Sequence, residues 1–112
     1  VEKSKAFAIR IINSYKYLCE EKHEYILSKQ LLRSGTSIGA NVKEAIRGQS
    51  KDDFIHKLNI SLKEASESEY WIELLFETDY ITKQQFDSLI GDCRELIKLL
   101  TSIIKTSRKE GK

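Results

Sequence analysis

The sequence contains no proline and no methionine, and it has only five glycines and two cysteines in 112 residues. Without proline and with little glycine, it lacks the usual turns of β-sandwiches and barrels and the glycine-rich loops that bind cofactor phosphates. Cys19 and Cys93 are far apart and form no CxxC pair, so neither a zinc site nor a disulfide framework is predicted. No apolar run approaches the roughly 18 residues of a spanning helix, and the charged N-terminal stretch is unlike a signal peptide. We therefore expect a cytoplasmic protein that does not associate with a membrane.

Charged residues are abundant and nearly balanced. The 19 basic and 17 acidic residues give a net charge of +2 and a pI near 8.5, which is too mild to imply a nucleic-acid partner by itself. Hydrophobic residues make up 40% of the chain and charged residues 32%, the composition of a soluble globular protein. A chain of this length supports one core, so residues 1–112 are expected to form a single domain.

Apolar residues recur at spacings of three and four along four segments, which predicts four amphipathic helices. The predicted helices run from near the N-terminus to about Cys19–Lys22, from about Tyr25 to Gly48, from about Asp52 to Glu77, and from Thr82 through Ile104, followed by a frayed basic tail over residues 105–112. Ser50, Asp52 and Asp53 are candidate N-caps of the third helix, and Thr82 with Gln85 three residues later is a candidate capping box. Because the connections are short, we expect an all-α, antiparallel up-down-up-down four-helix bundle.

The predicted second helix carries glycines on its core side and bases on its outer side. Gly35 and Gly39 each cost about 1 kcal/mol of helix propensity relative to alanine, so we expect close approach of a neighbouring helix backbone there. The outer side carries five bases that span roughly 33 Å if the helix continues unbroken to the last of them. We name them the basic stripe: Lys29, Arg33, Lys43, Arg47 and Lys51. A stripe of this length is suited to tracking a phosphate backbone, but bases on the solvated face of a bundle helix are also common.

The predicted third helix is apolar on two sides. One side serves the intramolecular core, and the other either widens that core or forms an interface between copies, because aromatic residues in apolar surroundings are typical of interfaces. The candidate interface residues are Ile60, Tyr70, Trp71, Leu74 and Leu75. Six acids and no base lie between Glu64 and Asp79. This acidic helix is complementary to the basic second helix either within one chain or between subunits, and the latter favours a closed homo-oligomer.

The sequence assembles no catalytic or cofactor-binding motif. Glu20 and His23 give one Glu-x-x-His match in a polar break between helices, whereas a carboxylate-bridged metal site needs such pairs projecting into the bundle. The P-loop, GxGxxG and HExxH motifs are absent, and no spacing groups a nucleophile with a histidine and an acid. We therefore expect no enzyme, no cofactor and no metal.

Several segments of the chain resemble a known bacterial family. They are QLLRSGTSIGANVKEA at 30–45, SKDDFIHKL at 50–58, LKEA at 62–65 and EYWIELL at 69–75. Over nearly its whole length the chain resembles the four-helix-bundle proteins encoded in intervening sequences of 23S ribosomal RNA genes, often labelled S23 ribosomal protein-like. The resemblance implies a ring-shaped homopentamer without catalytic activity. The positions of the matching motifs include Arg33, Ser37, Asn41, Glu44 and Trp71, and the resemblance implies a catalytic role for none of them.

The family is similar to the accessory variability determinant proteins of diversity-generating retroelements, basic pentamers that bind nucleic acid and a reverse transcriptase. The net charge of +2 departs from their strongly basic character. Two hypotheses follow, and we favour the first. In the first, a non-catalytic oligomer binds RNA or DNA through the basic stripe, which a pentamer repeats so that modest affinities combine. In the second, the oligomer is a scaffold or adaptor that binds a protein partner through its oligomeric surface and no nucleic acid, and the stripe only keeps the protein soluble. The resemblance also makes a reverse transcriptase a candidate protein partner.

Overall fold

The computed structural model describes residues 1–110, in which all regular structure is helical. The helices are α1 Glu2–Glu20, α2 Leu27–Ile46, α3 Lys51–Glu77 and α4 Lys83–Glu110. They pack into an elongated globule that measures 50 × 21 × 20 Å. The predicted all-α class and the four helices are confirmed, and the up-down-up-down order of the helices stays a prediction.

Side-chain caps fix where α3 and α4 begin. The Oγ of Ser50 accepts a hydrogen bond from the backbone N–H of Asp53 at 3.0 Å, as its residue type and position predict. Before α4, the N–H of Gln85 donates to Oγ1 of Thr82 at 3.1 Å, while the N–H of Thr82 donates to Oε1 of Gln85 at 2.8 Å. These reciprocal bonds form the predicted capping box.

The second half of α4 corrects the prediction of a frayed tail. The helix continues through Lys105 to Glu110, and residues 111–112 lie outside the described residues. Ile104 is 4% exposed and anchors this part of α4 in the core. Arg108 and Lys109 lie in the last turn, where positive charge stabilises the carboxyl end of a helix. Lys105, Arg108 and Lys109 are therefore held on a helix.

The turn between α1 and α2 is organised by Glu24. This residue is 7% exposed. Its carboxylate accepts hydrogen bonds from three consecutive N–H groups, those of Ile26 at 3.2 Å, Leu27 at 3.0 Å and Ser28 at 2.7 Å. A carboxylate at this position satisfies orphan donors of the first helical turn and complements the helix dipole. The polar break of the sequence therefore contains a buried anchor for the start of α2.

Helix α3 has a neighbour on each of two sides. Towards α2, Oγ of Ser61 donates to the carbonyl of Ile38 at 2.8 Å, and the hydroxyls of Ser34 and Ser68 hydrogen-bond at 2.8 Å. Towards α4, the thiol of Cys93 donates to the carbonyl of Ala65 at 3.3 Å. Small buried side chains let the helices approach closely, and this two-sided packing explains why α3 is apolar on two sides.

The predicted close approach at the α2 glycines is confirmed, and the neighbour is α1. A Cβ added to Gly35 would lie 2.9 Å from Cγ1 and 3.0 Å from Cγ2 of Ile11, which is tighter than normal packing allows. A Cβ added to Gly39 would lie 3.5 Å from the backbone carbonyl oxygen of Ser4, an ordinary contact. The tight contact at Gly35 is thus with a side chain, and the backbone approach is at Gly39.

Candidate nucleic-acid interface

The basic stripe is not continuous along one helix. Helix α2 ends at Ile46, and Lys51 is the first residue of α3. Ser50 lies between them in an extended conformation because it caps α3. The condition under which the stripe would span roughly 33 Å is therefore not met, because α2 ends at Ile46 and Lys51 belongs to a new helix that Ser50 caps.

Arg33, a member of the stripe, is engaged in ion pairs within the chain. Its Nη1 lies 3.1 Å from Oε2 of Glu64, and its Nη2 pairs with Glu67. Both partners lie on α3, so the acidic α3 and the basic α2 are complementary within one chain at this point. Exposed ion pairs contribute little stability, but they do reduce the charge that the guanidinium offers to an outside anion.

A second arginine pairs with the acids further along α3. Nε of Arg94, on α4, lies 2.8 Å from Oε2 of Glu69, and its Nη2 lies 3.8 Å from Glu73. The hydrogen bond to Glu69 raises the pKa of the Arg94 guanidinium, which keeps it charged. Together Arg33 and Arg94 pair with four of the six acids between residues 64 and 79.

The remaining members of the stripe are exposed and form no ion pair within residues 1–110. Lys43 and Arg47 line a surface hollow at the α2–α3 turn together with Lys57, Glu44 and Asp53. Nζ of Lys57 lies 3.8 Å from Oε1 of Glu44. Lys29 lies in the first turn of α2, far along the helix from this hollow. The structure therefore brings Lys43 and Arg47 together and leaves Lys29 apart from them.

A basic set that the sequence analysis assigned mainly to a frayed tail lies on the second half of α4. Residues 96–109 contain four bases and no acid. All four are exposed, and none forms an ion pair within the part of the chain that the structure describes. They are Lys98, Lys105, Arg108 and Lys109. The absence of acids from residues 96–109 is the feature of the sequence that could have indicated this basic set. The four bases share one surface only because the helix reaches residue 109.

The candidate interface residues on α3 occupy different environments. Leu75 is 0% exposed and belongs to the core of the chain, so its prediction as an interface residue is wrong. Trp71 is half-buried against the core, and its buried Nε1 has no hydrogen-bond acceptor among residues 1–110. Ile60 and Leu74 are half-buried, and Tyr70 is 54% exposed. Because α3 packs between two helices, part of the second apolar side widens the intramolecular core.

The chemistry-bearing side chains are dispersed. Within residues 1–110, no group of three or more His, Cys, Asp or Glu residues is arranged to hold a metal ion. Nδ1 of His23 lies 3.1 Å from the hydroxyl of Tyr25. Cys93 is buried in the core, and burial raises the pKa of its thiol to about 12. No helix in the described residues is both long enough and apolar enough to cross a membrane.

Comparison with known proteins identifies the family. No curated protein matches the chain. A solved structure from Bacteroides thetaiotaomicron, a protein of unknown function from the S23 ribosomal protein family, matches with 60% sequence identity and a TM-score of 0.92, over 93% of this chain and 96% of that chain. The profile of the 23S rRNA-intervening sequence protein family matches residues 1–102. The resemblance seen in the sequence is thereby confirmed, and the chain belongs to the 23S rRNA-intervening sequence protein family.

Proposed function

We propose that this chain is a non-catalytic, nucleic-acid-associated protein of the bacterial cytoplasm that acts as a homo-oligomer of four-helix bundles. The observation that carries the proposal is the distribution of ion pairs. Arg33 and Arg94 pair with acids of α3, whereas Lys29, Lys43, Arg47 and Lys51 are exposed without an acidic partner in residues 1–110. Unpaired bases on a folded surface are the groups that exchange condensed counterions for phosphates.

The up-down-up-down order of the helices is part of the proposal. The ion pairs between α2 and α3 support it, because the partner on α3 moves towards lower numbers as the partner on α2 moves towards higher ones. Arg33 pairs with Glu64 and Glu67, and Glu44 pairs with Lys57. Neighbouring helices joined by a short turn are expected to show this order.

Assembly into a homo-oligomer, a pentamer by the family resemblance, is proposed on exposed apolar side chains. Ile9 and Ile12 of α1 are 52% and 38% exposed, and Tyr70 of α3 is 54% exposed. A symmetric assembly that covers such residues would also repeat the unpaired bases on every subunit. Modest phosphate affinities then combine through effective concentration.

Binding is expected to depend on the phosphate backbone more than on base sequence. Among the Phe, Tyr and Trp side chains of the described residues, only Tyr25 and Tyr70 are largely exposed, at 55% and 54%. Base stacking on aromatic rings is the main alternative to phosphate contacts in single-strand binding. We therefore expect structured RNA or duplex DNA to bind without strong sequence preference.

The proposal is tested by measuring the mass of the purified protein by light scattering and its binding to labelled structured RNA and duplex DNA by fluorescence anisotropy. We expect an oligomeric mass and binding that weakens steeply with added salt. A protein that fails to bind either nucleic acid at low salt would overturn the proposed function.

A second candidate function is a scaffold or adaptor that binds a protein partner through its oligomeric surface and binds no nucleic acid. A different set of exposed apolar side chains favours it. Ile46, Leu99 and Ile103 are 57%, 41% and 36% exposed and line one surface hollow, which suits a protein partner. An oligomeric protein without affinity for RNA or DNA would be the result that supports this second function. A ribosomal RNA gene or a reverse transcriptase gene beside the gene for this chain would favour nucleic-acid binding, and the absence of both would favour the scaffold.

A further inference from the structure

We propose that the second half of α4 and the adjoining side of α3 form a phosphate-binding groove for the backbone of a nucleic acid, separate from the basic stripe. We name it the α4 groove, and its bases are Lys98, Lys105, Arg108 and Lys109. The inference rests on the proposed function and adds a site to it.

The ion pairs of α4 change character along the helix. In its first half every acid has a partner: Asp87 pairs with Lys83 on α4 itself, Asp92 with Arg10 of α1, and Glu95 with Lys3 of α1. Arg94 is held by acids of α3. Beyond residue 95, the four bases have no acidic partner within residues 1–110. Within residues 1–110, the ion pairs of α4 are thus confined to its first half, and the one acid of its second half, Glu110, pairs with none of the four bases.

The four bases share one side of the helix. At about 100° per residue they fall within an arc of about 100°, and at about 1.5 Å per residue they extend over about 16 Å. Successive phosphates of one strand are about 3.4 Å apart along a duplex axis, so this length matches about five phosphates. The array is rigid because Ile104, between the bases, is buried in the core.

The floor of the groove is a surface hollow of about 410 Å³ between α3 and α4. Lys105, Arg108 and Lys109 line it together with Asn59, Leu62, Thr101 and Ile104. No carboxylate is among these lining residues. By contrast, the hollow at the α2–α3 turn is lined by Glu44 and Asp53 as well as by bases. The lining of the α4 groove therefore carries bases without acids, whereas acids partly offset the bases at the α2–α3 turn.

Interaction with the helix dipole explains only two of the four bases of the α4 groove. Favourable interaction of a base with the helix dipole falls off within the last turn. This interaction explains Arg108 and Lys109, which lie in the last turn of α4, but not Lys98 and Lys105. Lys105, Arg108 and Lys109 are also spaced three and four residues apart, where like charges repel. A polyanion that binds along this side would relieve the repulsion.

Two charge-matched variants test the inference. The first carries Lys98→Glu, Lys105→Glu, Arg108→Glu and Lys109→Glu. The second carries Lys29→Glu, Lys43→Glu, Arg47→Glu and Lys51→Glu, so both change the net charge by the same amount. Arg33 is left intact because its reversal would break the pairs with α3. A third variant with glutamine at the four α4 positions serves if charge reversal disturbs folding, which circular dichroism and light scattering report.

Binding to structured RNA and to duplex DNA is then measured across a salt series. We expect the α4 variant to lose more than about 30-fold in affinity and to reduce the log–log salt slope by about 3 to 4, and the control variant to lose less. An α4 variant that loses no more than the control overturns the groove and leaves the proposed function standing. Absence of binding by the wild-type protein overturns both. The two nucleic acids distinguish RNA from DNA as the source of the phosphates.

Discussion

Replacing Gly35 and Gly39 with alanine, one at a time, tests the packing of α1 on α2. Both glycines lie inside α2, one turn apart, and both face α1. Each substitution removes the same propensity penalty, so the two variants differ only in what the new methyl group meets. Apart from the adjoining backbone of α4, no atom of residues 1–110 lies within 4 Å of a Cβ added to Gly91, which therefore provides a control.

The magnitudes follow from the contact distances. Glycine to alanine in a helix interior gains about 1 kcal/mol of folding free energy when nothing obstructs the methyl group. At Gly39 the nearest atom is 3.5 Å away, so most of this gain is expected to remain. At Gly35 the methyl group would press on Ile11, which is 0% exposed and β-branched and cannot move aside. Overpacking of this kind costs about 1–3 kcal/mol, which offsets or exceeds the gain.

The free energies of unfolding of the three variants are measured by urea unfolding, which circular dichroism follows. We expect Gly39→Ala and Gly91→Ala to stabilise the protein by up to about 1 kcal/mol, and Gly35→Ala to be less stable than Gly39→Ala by about 1–3 kcal/mol. If Gly35→Ala were as stable as Gly39→Ala, the contact between Gly35 and Ile11 would not limit the approach of α1.

Further predictions concern Glu24 and the thiols. Glu24→Ala is expected to destabilise the protein by about 2 kcal/mol, because three N–H groups lose their acceptor. As a control, Glu21→Ala at an exposed position is expected to change the stability by less than about 0.5 kcal/mol. Equal effects of the two substitutions in urea unfolding would contradict the anchoring role of Glu24. In the native protein at pH 8, iodoacetamide is expected to leave Cys93 unmodified and to label it only after unfolding, because burial raises the pKa of its thiol to about 12; native labelling of Cys93 as fast as Cys19 would refute this. Between the ordinary thiol pKa of 9.0 and about 12, the unfolded chain loses the Cys93 proton while the folded chain keeps it. The free energy of unfolding should therefore fall as pH rises, by at most about 1.4 kcal/mol per pH unit from this group, and a Cys93→Ala variant that keeps the full slope would contradict the assignment.

The helices and two of their caps were predictable from the sequence because both depend on local spacing. Ser50 and the pair Thr82 and Gln85 are standard capping residues, and the structure uses them as predicted. Glu24 was missed because glutamate is not a usual N-cap, and its role depends on burial of the turn between α1 and α2. The local sequence pattern does not show that Glu24 will be buried.

The candidate sites were less predictable because they depend on which helices are neighbours. A helical wheel places Arg33 on an outer face but does not show that α3 brings Glu64 and Glu67 to it. The wheel also groups Leu75 with Trp71, whereas packing of α3 between α2 and α4 buries Leu75 completely. The basic residues of α4 became a candidate site only when Ile104 was seen to hold that part of the chain as helix.

The most direct test of the account is the salt dependence of wild-type binding to duplex nucleic acid. If the unpaired bases contact phosphates, a plot of log affinity against log salt concentration should be linear with a slope of about −3 or steeper, since each contact releases about 0.9 counterion. Affinity should then fall by at least about 50-fold between about 50 and 200 mM salt. Absence of binding at about 50 mM salt, or binding that does not change with salt, would contradict the central claim that these bases form a phosphate-contacting surface.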